Sequence, residues 1–517
     1  MSGNGGKIRG SAFAFIVCAF AYFYVFPYQP DLNNPNENVR LYMTAALVEN
    51  HSYQIDEVRA RWGWVNDAGV RDGHFYSVKA PGTSMLGVPG YFLYYTFAKN
   101  FDRTTALWVC RATASMFPTV LFLVFFYRWL RRRAKSGVLA ESVFYSVAIG
   151  SLLYGYGMMF VSHTQSAAAA FVAFALLAEA REKKKLSGTA AFVAGLCTAG
   201  VTFFEYPGFV VSVVLAVYAL ACVRPWKRLV PFAIGGALPT LLMMHFQWRS
   251  FGSPFRPGHL FVENPAFRAA HEQGFFGADG FHADGARGLF FDTGFGLFPL
   301  TPILFFAFVG WVLLLRRRRD RTDALAALAI TLGTGLVISL MNNWRGGWTI
   351  GPRYLAVVVP FVAWPALAGL EWIAAKSKPL AAGLALGTAA IGFVASGIPS
   401  AYYPHLPEPV TRPVAQIFVP LIENNFAPLT ALHYWDVFGT TAMYPLLIVA
   451  AAALIYSLRL LKNARERIIA SVIAVAVAAI GIHAFATPDD PPNADAQREY
   501  NFITSHWQPA PREPGNL

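Results

Sequence analysis

Three polar segments carry residues whose types and spacing could handle a charged ligand. The first reads Asp31-Leu-Asn-Asn-Pro35-Asn-Glu37-Asn-Val-Arg40. Glu37 and Arg40 are three apart, so a helix starting after Pro35 places them on one face, where a carboxylate and a guanidinium can converge on one ligand. A solvated helix start also fits, because acidic residues favour first turns. The second segment is Asp72-Gly-His74-Phe-Tyr76-Ser-Val-Lys79-Ala-Pro81-Gly82. Lys79 is its lone cation between Arg71 and Lys99. A primary amine before a Pro-Gly break at a membrane surface suits a lipid phosphate, and it equally suits a lysine snorkelling to the headgroups. The third, Asn342-Asn-Trp344-Arg345-Gly-Gly-Trp348-Thr-Ile-Gly351-Pro352-Arg353-Tyr354, sets two arginines among glycines and aromatics. Guanidinium forks match phosphate oxygens in a bidentate way. Trp344, His74 and Tyr76 stand beside these cations as candidate substrate contacts, although interfacial aromatics also anchor any membrane protein.

The elements that must position these residues are membrane spans. Of 517 residues, 55% are apolar and 14% charged, whereas soluble domains carry about 25% charged residues. Apolar runs of span length recur along the whole chain, so one polytopic all-α domain is expected. The net charge of +13 would suit a nucleic-acid binder, but its placement argues otherwise. Of 42 Lys and Arg, 25 fall in seven short segments: Lys7 with Arg9, 128–135, 181–185, 224–228, 316–321, Lys376 with Lys378, and 459–467. Each borders an apolar run, as the positive-inside rule requires, so the basicity reports topology and no nucleic-acid partner is expected.

Threading the chain with its N-terminus inside gives thirteen spans, at about 11–28, 104–128, 138–158, 162–180, 189–206, 208–223, 230–250, 299–315, 324–342, 354–375, 379–398, 443–458 and 468–486. The first is read as an uncleaved helix, since no small-x-small cleavage site follows it. The apolar run 82–98, opened by Pro81-Gly82, is assigned to a juxtamembrane or re-entrant element; as a span it would put the 128–135 cluster outside. The transmembrane domain then covers 1–486, with external loops at 29–103, 251–298 and 399–442. An external tail, 487–517, is rich in Pro, Asp and Asn and is expected to be partly disordered.

Charge within the spans is scarce. Arg111, His163, Gln165 and Glu205 all fall toward their outer ends. A proton-coupled transporter more often carries such groups at the midplane on paired broken helices, so an external cavity roofed by loops is favoured over a transport pathway. Cys18, Cys110, Cys197 and Cys222 lie in apolar runs without metal-ligand spacing, so neither a disulfide framework nor a metal or other cofactor is predicted, and divalent-metal dependence stays open.

The first helix, the long outer loop with its early acid, and Tyr76-Ser-Val-Lys79-Ala-Pro81 together resemble the GT-C glycosyltransferases that use polyprenyl-phosphate sugars. That group includes the protein O-mannosyltransferases and the lipid A aminoarabinose transferase, whose pattern is a first-loop acid and a later Tyr-x-x-Lys-Pro-Pro. Arg249-Ser-Phe-Gly252-Ser-Pro254 and Trp344-Arg345-Gly-Gly-Trp348 are similar to segments of bacterial membrane proteins of the same broad superfamily. The resemblance covers 1 to about 370. It implies a GT-C-like fold with juxtamembrane helices in the first loop, and an inverting transfer of sugar from a lipid phosphate to a hydroxyl acceptor at the outer face of a bacterial inner membrane, with the C-terminus external. Glu37 matches the family's first-loop base and Asp31 competes with it; position 36 is Asn where the family has an acidic pair. Lys79 matches the lysine near the lipid phosphate, with Ala80 in place of the first proline. Arg40, Arg345 and Arg353 join it as phosphate-binding candidates from charge and location. The acceptor, whether glycan, lipid or protein, is unspecified, and a transporter or flippase of lipid-linked saccharides is the alternative.

Overall fold

The computed structural model describes residues 3–26, 34–274, 277–488 and 491–508. Over the described residues each of the thirteen predicted spans is mostly helical, although the first turns into a short strand at Val25–Phe26. Among the described residues, seven helices are long and apolar enough to cross a membrane, and an eighth qualifies if Gly137–Ile149 and Leu152–Met158, bent by 45° at their junction, count as one. The other predicted spans coincide with shorter apolar helices, such as Gly188–Phe204 and Pro302–Arg316, and with His163–Lys183, whose polar first turn and charged last turn dilute its hydropathy. Several helices turn an apolar surface outward: Ile468, Val472, Val475 and Ile480 are exposed on Ala464–Ala486. Such surfaces need a hydrocarbon solvent, and the chain is an integral membrane protein.

At one end of the bundle the loops build a cap. The Pro35–Glu49 helix starts on Asn34, whose side chain accepts from the backbone N–H groups of Asn36 and Glu37, with Pro35 at the first helical position. Residues 37–46 of this helix are all buried, which is unusual for a loop helix and marks it as the centre of the cap. It packs on Gly82–Phe97, the run assigned to a juxtamembrane element, where Thr44 Oγ1 donates to the Ser84 carbonyl at 2.9 Å. Ala68–Arg71 and His74–Ser77 form an antiparallel hairpin with Arg71 opposite His74. Its two turn residues, Asp72 and Gly73, both have positive φ, as a two-residue hairpin turn demands.

Backbone pairing joins the first predicted external loop to the second, and the end of the first helix to the third. Glu263 N–H donates to the Ala68 carbonyl at 2.9 Å, tying the hairpin to the second loop. Val25–Phe26, at the end of the first helix, pairs antiparallel with Leu429–Thr430 of the third loop. Among its described residues the tail contains a helix, Ala494–Ser505. Its Ile503 and the following Trp507 are buried, and Trp507 Nε1 donates to the Ala427 carbonyl at 3.0 Å. These two apolar anchors dock this part of the tail on the cap.

The opposite end is held by a buried ion pair. Arg181, near the end of His163–Lys183, binds Asp323 through two contacts of 2.8 Å, and Tyr218 OH donates to the same carboxylate at 2.6 Å. Asp323 is fully buried. Asp323→Ala leaves the partly exposed Arg181 with only the Arg319 carbonyl and removes the partner of Tyr218, and is expected to destabilise the detergent-solubilised protein by about 1–3 kcal/mol, read as a lowered melting temperature. Arg181→Met/Asp323→Leu should recover most of that loss.

Candidate active site

Glu37, at the third position of its helix, is completely buried. Four N–H groups point at its carboxylate. Arg111 contributes Nε to Oε1 at 2.8 Å and Nη2 to Oε2 at 2.6 Å; the Phe160 backbone N–H reaches Oε1 at 2.6 Å, and Asn34 Nδ2 reaches Oε2 at 2.9 Å. Burial alone would raise its pKa, but Arg111 and the Phe160 amide outweigh it and hold the carboxyl below its usual range. Two breaks in regular helix supply these donors. The helix Arg103–Arg133 has a π turn over Arg111–Met116, and such wide turns are frequent at functional sites. The amide of Phe160 is available because the chain leaves helical structure between Met158 and His163.

One helical turn on, Arg40 is also buried. Its guanidinium donates to the Asn36 carbonyl at 2.7 Å and to Ser162 Oγ at 3.0 Å. Ser162 Oγ in turn donates to Glu205, and His163 Nδ1 lies 2.9 Å from the same Glu205 oxygen. Arg40 feels the charges of Glu205, Asp67, Arg353 and Glu37. Lys79 Nζ pairs with Asp67 at 3.0 Å. Arg353 Nη2 donates to Tyr354 OH at 3.1 Å. Arg40, Lys79 and Arg353, chosen from three separate segments, therefore gather in one electrostatic neighbourhood with Glu37, Asp67 and Glu205.

The other sequence candidates have partners of their own. Arg345 lies over the Phe295 ring at 4.4 Å and faces the charges of Glu408 and Asp292. Gly346 and Gly347, both at positive φ, turn the chain between Arg345 and Arg353, and a Cβ on Gly346 would fall 2.9 Å from Arg353 Nε. Trp344 packs against Gly285 and Gly288. Tyr76 is buried against Phe251, with its hydroxyl accepting from Gln54. His74 is half-exposed, 3.6 Å from Asp56. Asp31 lies outside the described residues.

The site also contains residues that were not chosen from the sequence. Arg111, His163 and Glu205 stood out there only as charges at span ends; that signal, an ionisable group in an apolar run, was sufficient to find them. His405 carried no signal in an ordinary loop. It is half-buried beside Glu37, 3.2 Å from Asn34 Nδ2, and desolvation lowers its pKa to about 4. Among the described residues no group of three or more His, Cys, Asp or Glu could hold a metal ion.

No family model matches the chain. No curated protein matches it either. Among solved structures it is similar to ArnT from Cupriavidus metallidurans bound to undecaprenyl phosphate, with 16% identity, a TM-score of 0.49, and coverage of 98% of this chain and 79% of that one. The apo state of the same ArnT gives 16% identity and a TM-score of 0.49 over 94% and 76% of the two chains. The Archaeoglobus fulgidus oligosaccharyltransferase in its apo form is similar at 13% identity and a TM-score of 0.44, over 81% of this chain and 58% of that one. The likeness is one of fold alone.

Two outcomes follow from the geometry. Glu37→Gln removes the charge that balances buried Arg111 and should destabilise the protein by about 3–5 kcal/mol; Glu37→Gln/Arg111→Leu should regain most of it, as thermal unfolding in detergent will show. His405 is neutral when folded, with a pKa of about 4, against roughly 6.5 in an unfolded chain. Between those values the unfolded chain binds more protons, so the stability His405 contributes is complete above about pH 6.5 and drains away toward pH 4. The fall in melting temperature from pH 7 to pH 5 should shrink in His405→Phe.

Proposed function

We propose that the protein is a GT-C-type inverting glycosyltransferase, which moves a sugar from a polyprenyl-phosphate donor to a hydroxyl acceptor at the outer face of a bacterial inner membrane. The observation that carries the reading is the gathering of Arg40, Lys79 and Arg353 with Glu37 and Glu205 at the loop end of an apolar bundle. Cations concentrated at a membrane surface suit a lipid phosphate, which a soluble substrate would not require. The N-terminus is then cytoplasmic and the tail external, so the loop end faces the periplasm.

In this scheme the acceptor oxygen attacks the anomeric carbon, the bond from that carbon to the phosphate oxygen breaks, and the configuration inverts. The leaving polyprenyl phosphate gains negative charge, which Arg40, Lys79 and Arg353 offset. The acceptor loses its proton to Glu37. All four donors around Glu37 must be reckoned with, and the neutral amide of Asn34 is the partner most easily exchanged. An acceptor hydroxyl replacing it would meet Oε2, while Arg111 and the Phe160 amide keep the carboxylate in place. A single carboxylate serves because the phosphate is already a good leaving group, whereas most glycosidases need a flanking pair. The Arg181–Asp323 pair closing the opposite end supports an outward-facing cavity over a path through the membrane.

Mass spectrometry of lipid-linked and envelope glycans from cells with and without the gene tests this function. Loss of one sugar from an acceptor, with accumulation of its lipid-phosphate donor, is the expected result; an unchanged glycan profile would overturn it. In a reconstituted assay Lys79→Ala should raise the donor KM by about 10- to 100-fold, the loss of one charge-assisted hydrogen bond. The stabilised Glu37→Gln/Arg111→Leu variant should stay inactive although folded, and wild-type turnover from it would remove Glu37 as the base.

A further inference from the structure

The second external loop crosses the first beside Lys79 and brings two histidines with it. Val262 makes a backbone bridge to Gly69, Glu263 N–H donates to the Ala68 carbonyl at 2.9 Å, and Asn264 Nδ2 donates to Asn66 Oδ1 at 3.2 Å. Asp67, the partner of Lys79, lies within this paired stretch. Gly258 rests on the chain just before Lys79, where a Cβ would fall 2.8 Å from the Val78 Cα, and its neighbour His259 feels the Lys79 charge. The Pro265–Glu272 helix then carries His271 back to the same place, and the two imidazole rings lie 5.0 Å apart at 52°. Asn342 Nδ2 holds the far end of that helix by donating to the Ala270 carbonyl at 2.7 Å. The pair is therefore tied down from both sides.

Three elements present charged or titratable groups to these rings. His259 faces Lys79 and His271 and meets the Tyr206 ring edge-on at 6.3 Å; His271 faces Lys79 and Asp67. Burial, the His271 ring and Lys79 push His259 down to about 4. Burial and Lys79 lower His271 as well, while Asp67 favours its charged form, so His271 is the ring that charges more readily. Both rings are half-buried, and solvent protons reach them. An imidazole donates one N–H when neutral and two when protonated, so either form can hold an anion. The transfer itself changes the charge at this place. A polyprenyl-phosphate sugar is a diester with a single negative charge, whereas the phosphate left behind is a monoester whose second ionisation falls at about pH 6. Lys79 is already matched by Asp67, so that second charge calls for another cation.

We propose that His259 and His271 join Lys79 in holding the lipid phosphate, and that His271 takes a proton from solvent as the phosphate gains its second charge. The inference rests on the transferase reading and adds two residues to its phosphate site. The sugar moves from the phosphate oxygen to the acceptor oxygen, and the acceptor's own proton goes to Glu37. The proton on His271 is a second one, drawn from water and returned when polyprenyl phosphate leaves. The pair supplies a cation to the leaving group and none to the donor.

The test is the affinity of the full-length protein, in phosphatidylcholine nanodiscs, for undecaprenyl phosphate at pH 7.5 and pH 6.5. Uptake of one proton tightens binding by at most about tenfold per pH unit, and the wild type should bind about 3- to 10-fold more tightly at the lower pH. The methyl ester of undecaprenyl phosphate, a diester with a single charge like the donor, should bind the wild type equally at both. His271→Gln keeps an N–H but cannot charge, and its two affinities for undecaprenyl phosphate should agree within about twofold. A wild type with equal affinities for the monoester at both pH values overturns the inference, as does a diester that tightens as much as the monoester; neither result depends on a variant that folds. A His271→Gln protein that keeps the wild-type pH dependence, even with weaker binding throughout, overturns it too. Failure of the wild type to bind undecaprenyl phosphate at either pH overturns the transferase reading, and this inference with it.

Discussion

A carboxylate buried where an apolar bundle meets its cap has to be neutralised on the spot, and the Glu37–Arg111 pair is where this molecule meets that demand. Glu37 has no exposed surface and Arg111 almost none. Desolvating both ions costs several kcal/mol apiece, recovered only with full hydrogen bonding. That requirement explains the surrounding backbone. The π turn at Arg111–Met116 and the helix break before His163 are irregularities that an apolar span would not adopt for its own sake. Each delivers a donor to Glu37.

From that pair the charges extend through shared partners. Arg40 follows Glu37 by one turn and reaches Ser162, which touches Glu205, which holds His163. Removing one member leaves a neighbour unsatisfied, so these side chains act as a unit and their mutational effects will not add.

The helices were legible in the sequence because hydrocarbon imposes a length and a composition on any span. Arg40, Lys79 and Arg353 could be named as candidates for a related reason: cations in segments apart from the basic clusters stand out. The grouping of Arg111 and His405 with Glu37, and of His163 and Glu205 with Arg40, was not legible, since it depends on a π turn and a helix break that leave no periodic trace. Arg345 and Arg353 are close in sequence, and Gly346 and Gly347, both at positive φ, turn the chain between them. The docking of the Ala494–Ser505 helix left little trace in a polar composition, because two buried residues, Ile503 and Trp507, suffice to anchor it.

The pairing of Val25–Phe26 with Leu429–Thr430 bears on how the protein is made. Tyr24 at that junction bonds a carbonyl 418 residues away. At translation rates of about 5–20 residues per second, the first helix waits roughly 20–80 seconds for its partner to be synthesised. Until then Val25 and Phe26 lack their strand partner, so this edge of the cap closes only late in synthesis.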